Sequence, residues 1–321
     1  MKTRLILVDG LSGTGKSTAA THLALCLQEQ GVPYRYYWEL EVPHPINTRS
    51  RLDGRDLKTA ELVELGVANW RAFADYARER DTVTVFDGKP FHISVMNMAL
   101  QDRLGPEQAA DYIARVAEAV RELEPKAVYL RQPDIAAGLE KIEAERGRGW
   151  IADLVSLVEE GKPFGGGAYA GVEGALRFLE DYRARIEAGL AAAPLDKLVV
   201  DTAAGDWAAY YSRIRDFVGL AECATGDAGN RHLGGEAQDT TLLFDNRSGR
   251  PLTAYRLPFK ERWPQYAFEM PPAEVFAFRT QFGERFRLYD TNSGAVRQDV
   301  IACRPEQDVV IRAAGERRKR V

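Results

Sequence analysis

Eight residues, Gly10-Leu11-Ser12-Gly13-Thr14-Gly15-Lys16-Ser17, fit the pattern G-x-x-x-x-G-K-[ST] throughout. Their setting constrains the fold: the apolar run Leu5 to Val8 precedes them, and a stretch of helical period follows from Lys16. A strand, a glycine-rich turn and a helix in that order turn consecutive backbone N–H groups inward and add the positive end of a helix dipole, which suits phosphate. In such a loop Lys16 reaches the β and γ phosphates, Ser17 ligates magnesium, and Gly10, Ser12, Gly13, Thr14, Gly15 and Thr18 complete the cradle. The expected cofactors are therefore ATP and Mg2+.

The pattern around the loop agrees. Short runs rich in β formers, at Leu5 to Val8, Tyr34 to Trp38, Thr82 to Phe86, Ala127 to Leu130 and Lys197 to Val200, alternate with helical stretches. The helical stretches are Lys16 to Gln30, Leu57 to Arg80, Pro106 to Leu123, Ile135 to Glu145, Val172 to Ala191 and Asp206 to Val218. Alternation of this kind predicts an α/β domain over 1–220, a five-stranded parallel sheet flanked by helices. From Ala221 to Gln238 the apolar period is lost among glycines, which predicts a linker. Short β-rich runs resume at Thr240 to Phe244, Leu252 to Pro258, Glu274 to Gln281, Arg285 to Tyr289 and Val309 to Arg312. Separated by turn signals, they predict a small all-β sandwich over 239–315, followed by a basic tail at 316–321.

Composition narrows the setting. With 321 residues, a net charge of -4 and no long apolar run, the chain reads as a cytoplasmic protein with no membrane partner and no general affinity for nucleic acid. Cys26, Cys223 and Cys303 lie far apart without metal-type spacing, so they are expected as reduced packing residues rather than a disulfide framework.

A phosphate loop alone serves kinases, GTPases and motor ATPases alike, so the rest of the domain must separate them. The GTPase signature N-K-x-D is absent, and a strand ends instead in Phe86-Asp87-Gly88-Lys89. Strand ends of parallel sheets face the ligand crevice, which puts Asp87 in reach of magnesium and Lys89 in reach of phosphate or acceptor. Glu39 and Glu41 follow the second strand; Glu39 is the preferred general base, with Glu41 in reserve, and His44 is an acceptor-contact candidate. Arg146, set among glycines in Glu145-Arg146-Gly147-Arg148-Gly149, fits a mobile arm that closes over the γ phosphate, with Arg131 second. Val200 to Asp206 ends the last strand at the place where such folds often cradle adenine.

With those residues in view, 5–220 resembles the P-loop nucleoside and nucleotide kinases of the thymidylate-kinase-like group. The resemblance rests on the loop, His44-Pro45-Ile46, Asp87, Glu145-Arg146-Gly147 and Gly205-Asp206-Trp207. It implies Glu39 as base, Asp87 near magnesium and Arg146 in the lid. Thymidylate kinases proper carry Asp-Arg where this chain has Asp87-Gly88, which argues against thymidine monophosphate as acceptor. The segment 240–312 resembles the β domain of the von Hippel-Lindau tumour suppressor, through Phe244-Asp245-Asn246-Arg247-Ser248, Tyr255-Arg256-Leu257, Pro271-Pro272 and Phe286-Arg287-Leu288-Tyr289-Asp290. That resemblance implies a peptide pocket at Tyr255, Tyr266, Thr280 and Phe286, with Glu284 where the family has histidine.

Two functions follow as expectations. One is an ATP- and magnesium-dependent kinase acting on the hydroxyl or phosphate of a small acceptor, a nucleoside-like one among the options, with the β domain aiding acceptor or partner recognition; as a variant, the acceptor is a peptide hydroxyl presented by the β domain. The other is a nucleotide-gated protein whose β domain binds a peptide or protein partner. A homodimer is left open.

Overall fold

The computed structural model describes the chain apart from residues 1, 47–57, 90, 102–103, 147–148, 162–168, 224–237, 259–262 and 314–321. Most of the expected linker and all of the basic tail lie outside the described residues.

Strands β1 (Leu5–Gly10), β2 (Tyr34–Tyr37), β3 (Val83–Asp87), β4 (Lys126–Arg131) and β5 (Asp196–Asp201) form one parallel sheet in the order β2-β3-β1-β4-β5. β1 is buried along its whole length because helices cover both faces of the sheet, so it reads as a continuous apolar run. The covering helices are α1 (Lys16–Glu29), α2 (Thr59–Arg78), α3 (Met96–Gln101), α4 (Pro106–Ala119), α5 (Ile135–Arg146), α6 (Trp150–Gly161), α7 (Gly171–Ala192) and α8 (Trp207–Val218). A π-helical turn, Phe91–Val95, leads into α3. One core lies under α2, α4 and α7 around Trp70, Phe86, Tyr112 and Phe178. A second lies under α1 and α8 around Leu23, Tyr36, Val85 and Ile214. Among the described residues no helix is long and apolar enough to cross a membrane.

The C-terminal region is all β. β7 (Leu252–Arg256), β8 (Gln265–Met270), β10 (Arg285–Asp290) and β11 (Val296–Ile301) pair antiparallel in the order β11-β10-β7-β8. β6 (Asp239–Arg247), β9 (Val275–Gln281) and β12 (Glu306–Arg312) form a second sheet, β12-β6-β9, in which β6 runs antiparallel to β9 but parallel to β12. Phe244, Phe268, Phe286 and Leu288 fill the space between the two sheets.

This region is docked against the α/β region. Phe282, Ile301 and Cys303 join the core under α1, and Gln28 of α1 donates to Ile301 O (2.8 Å) while accepting from Ile301 N (2.9 Å). A salt-bridged arginine, Arg287, closes the seam beside β2.

The expectation for the cysteines is corrected. Cys26, on α1, and Cys223, just beyond α8, form a disulfide across 197 residues of sequence. The packing of α1 against α8 brings the two together, and sequence spacing carries no trace of it.

Candidate functional site

The loop from Gly10 to Gly15 joins β1 to α1 at the C-terminal edge of the sheet, with Gly10, Gly13 and Gly15 all at positive φ. At Gly15 (φ 90°) only glycine fits: a Cβ would lie 2.0 Å from the Trp207 ring, which packs directly on the loop. On the other side α5 presses in, and a Cβ on Gly13 would lie 2.6 Å from Ile142. Lys16 folds back so that Nζ donates to Leu11 O (3.0 Å), and Thr14 Oγ1 donates to the same carbonyl (2.9 Å). The helix carrying Arg146 therefore sits against the loop, although the Arg146 side chain, Gly147 and Arg148 lie outside the described residues.

The carboxylates gather beside this loop. β3 ends at Asp87, fully buried, whose Oδ2 accepts from the Tyr36 hydroxyl (3.0 Å); its carboxylate is also hydrogen-bonded to the Ser17 side chain. Gly88 follows at φ 73°, and a Cβ there would lie 2.1 Å from Glu39 Oε2, so the missing side chain makes room for the Glu39 carboxylate. Asp87 Oδ1 and Glu39 Oε2 are both buried without a hydrogen-bond partner. Orphaned buried carboxylate oxygens beside a serine hydroxyl fit a hard divalent cation such as Mg2+, which takes oxygen ligands.

Burial sets the protonation chemistry. It raises Glu39 to about 7, with Lys16 opposing, Asp87 and Asp9 reinforcing and Lys89 opposing. It raises Asp87 as well, against the Ser17 hydrogen bond and the charge of Lys16. Lys89, itself buried, is lowered to about 8 by desolvation despite the carboxylates of Glu39 and Asp9. A carboxyl poised near 7 facing an ammonium poised near 8 is an acid–base arrangement suited to neutral pH.

Sequence reasoning missed two members of the cluster. Asp9, buried at the end of β1, accepts from Gly10 N (2.7 Å), Phe91 N (2.8 Å) and His92 N (3.0 Å), tying the glycine-rich loop to the turn after β3. Desolvation raises Asp9 to about 6, opposed by Lys16 and those three N–H groups. His92, also buried, places Nε2 3.4 Å from Ser12 Oγ and leaves Nδ1 without a partner. Desolvation and the charges of Lys16 and Lys89 hold it neutral. A carboxylate ending an otherwise apolar run, Leu5 to Asp9, was the available signal for the first; nothing in the local pattern marked the second.

Other candidates fall elsewhere. Glu41 is not free to act as a reserve base or acceptor contact, because its Oε1 pairs with Arg287 Nη1 at 2.5 Å in a buried ion pair. His44 is buried against Tyr37 and Phe86, accepts from Ile46 N at Nδ1 (3.3 Å), and is kept neutral by desolvation. Arg131 reaches Asp201 Oδ2 at 3.6 Å, and Asp206 caps α8 by accepting from Ala209 N.

In the β region the four expected pocket residues do not share an open surface. Phe286 is wholly enclosed between the sheets, so it is withdrawn as a partner contact. Thr280 is buried and donates its hydroxyl to Glu284, which also pairs with Arg256 (2.9 Å). Tyr255 meets Tyr266 and Tyr289 edge to face, and of the four only Tyr266 is largely exposed.

No protein-family model matches the chain, and no curated protein matches it. Among solved structures it is similar to an unliganded sugar kinase from Janibacter sp. HTCC2649, at 17% identity and a TM-score of 0.35, over 68% of this chain and 96% of that one. A likeness of that degree fixes neither fold nor chemistry.

Proposed function

We propose that the chain is an ATP- and magnesium-dependent phosphotransferase acting on a hydroxyl of a small acceptor. The observation that supports this reading is the convergence of Lys16, Ser17, Glu39, Asp87 and Lys89 at one edge of the parallel sheet, with two carboxylate oxygens buried and unpartnered. The loop N–H groups and Lys16 hold the β and γ phosphates; Lys16 leaves Leu11 O to do so. Ser17 and Asp87 would hold magnesium, which supplies positive charge to the phosphate oxygens. Glu39 accepts the proton of the acceptor hydroxyl as its oxygen bonds to the γ phosphorus and the bond to the β–γ bridging oxygen breaks, releasing ADP. Lys89 faces the same space and offsets charge that builds on the transferred group. Asp9 keeps the loop and the 91–92 turn in register, and Arg146, at the end of α5, would supply a further cation for the γ phosphate. In this account Glu39→Gln lowers kcat by about 10²–10⁴-fold while leaving magnesium-ATP affinity within about threefold. An unchanged kcat would remove Glu39 from the chemistry.

The gated-binding reading has one observation in its favour: the β region is docked on α1, the helix that continues the phosphate loop. It requires partner capture to change between the ATP- and ADP-bound protein and to survive Glu39→Gln.

A further inference from the structure

Glu39 lies on a short segment, Tyr36 to Glu41, that leaves the edge strand of the sheet, and among the described residues β3 is the only strand that pairs with β2. An edge strand and the loop beyond it hold a side chain in place only if something covers them. Here the cover is the β region. The Arg287 side chain, 2% exposed, donates from Nη1 to Glu41 Oε1 (2.5 Å) and from Nη2 to Tyr36 O (2.8 Å), while its Nε and Nη2 meet both oxygens of Asp299 (2.8 and 2.9 Å). Asp299 in turn accepts from Tyr36 N (3.0 Å), so one peptide of β2 is gripped at its N–H by β11 and the next carbonyl by β10. Glu41 closes the segment on itself: its Oε2 accepts from Trp38 N (3.4 Å) and its own N–H donates to Trp38 O (3.1 Å). Arg287 also lies over the Tyr37 ring, and Arg285 over the Tyr36 ring, whose hydroxyl reaches Asp87. Across the seam Trp38 and Glu41 face Leu257, Pro258, Pro264 and Arg285.

We infer that Arg287, on the β region, is a positioning residue for the candidate base: by clamping Tyr36 and Glu41 it fixes the segment that carries Glu39 over Gly88. The β region is then part of the catalytic apparatus rather than an appended binding module. The inference rests on the reading of Glu39 as base, but the clamp itself does not.

The test uses the full chain and the variants Arg287→Lys and Glu41→Gln, with Arg247→Ala, whose exposed pair with Asp245 lies in the same region away from the seam, as control. Lysine keeps the charge but cannot reach all three partners, and glutamine keeps an acceptor at 41 without its charge. The clamp predicts faster backbone hydrogen exchange confined to 36–46, kcat lowered about 10–100-fold, magnesium-ATP affinity within about twofold and KM little changed. Because Arg287→Lys can simply unfold, Glu41→Gln carries the same prediction from the other side of the pair. Exchange at 36–46 unchanged in a folded variant, or raised evenly over the whole chain with kcat intact, overturns the clamp. An unsubstituted protein that transfers phosphate to no acceptor overturns the kinase reading and the catalytic role with it. The exchange experiment still separates that failure from failure of the clamp.

Discussion

At the scale of the residue, the site is a cluster of groups whose ionisation is bent toward neutrality by burial. Glu39 at about 7 and Lys89 at about 8 give a definite pH signature. A base must be deprotonated and a stabilising ammonium protonated, so kcat/KM should rise through about 7, fall beyond about 8, and lose its acid limb in Glu39→Gln. The same shift has a thermodynamic cost. Between the ordinary value of 4.5 and about 7 the folded protein binds a proton at Glu39 that the unfolded chain releases, so this group's contribution to stability is present below about 4.5 and lost as pH rises through about 7. Without nucleotide, Glu39→Gln should therefore melt higher than the unsubstituted protein at pH 8 and match it near pH 4.5; equal melting at pH 8 would contradict the buried carboxyl. How far these residues were legible depended on their neighbours in sequence. The glycine-rich loop was legible because its residues are contiguous in Gly10 to Ser17, and the Asp87 carboxylate because it ends a strand. Asp9 and His92 were missed because their roles arise from contacts across 82 and 83 residues, Asp9 being the acceptor for Phe91 and His92 N–H.

At the scale of the element, β1 was readable because burial along its whole length leaves an unmixed apolar run at Leu5 to Val8, whereas the edge strands β2 and β5, only partly buried, were readable from their β formers alone. α6 was not, because its pattern from Trp150 to Val158 follows directly on the glycines that pointed to a mobile arm. α3 is too short, at six residues, to show a period. β8 sits between prolines, and β11 breaks the alternation expected of a strand because Asp299 is buried where an apolar residue should be, hydrogen-bonded there by Arg287 and the Tyr36 N–H. Burial alone would raise the Asp299 carboxyl, but the guanidinium beside it prevails and holds it below its ordinary value. The pairing of α1 with α8 yields a measurable bond: peptide mapping without reductant should find Cys26 joined to Cys223, with Cys303 free. Closing a loop of 197 residues should contribute about 2–4 kcal/mol, so reductant should lower the melting temperature of the unsubstituted protein but not that of Cys223→Ser. Free thiols at both positions in the protein as purified would contradict this packing.

At the scale of the whole molecule, the sequence separated two regions correctly in kind, α/β followed by all-β, but gave no sign that they share a buried ionic seam. The sign exists only in three dimensions, since Arg287 meets Glu41 across 246 residues. Cutting the chain after Gln238 therefore does more than remove a recruitment module. It strips the cover from Tyr34, Tyr36 and Gln28, removes Arg287 and Asp299 from the Tyr36 peptide groups, and opens Glu41 to water without its cation. The truncated chain should melt lower and transfer phosphate more slowly even to a small acceptor; full activity would show that the β region is dispensable for chemistry. The central claim, that the buried cluster transfers phosphate, is tested most directly by incubating the full chain with magnesium and γ-labelled ATP. The acceptor panel spans nucleosides, nucleoside monophosphates, other hydroxylated small molecules and hydroxyl-bearing peptides, with Lys16→Ala alongside. The account predicts label on one class of hydroxyl acceptor and none with Lys16→Ala; ATP bound or hydrolysed with no acceptor labelled would contradict it.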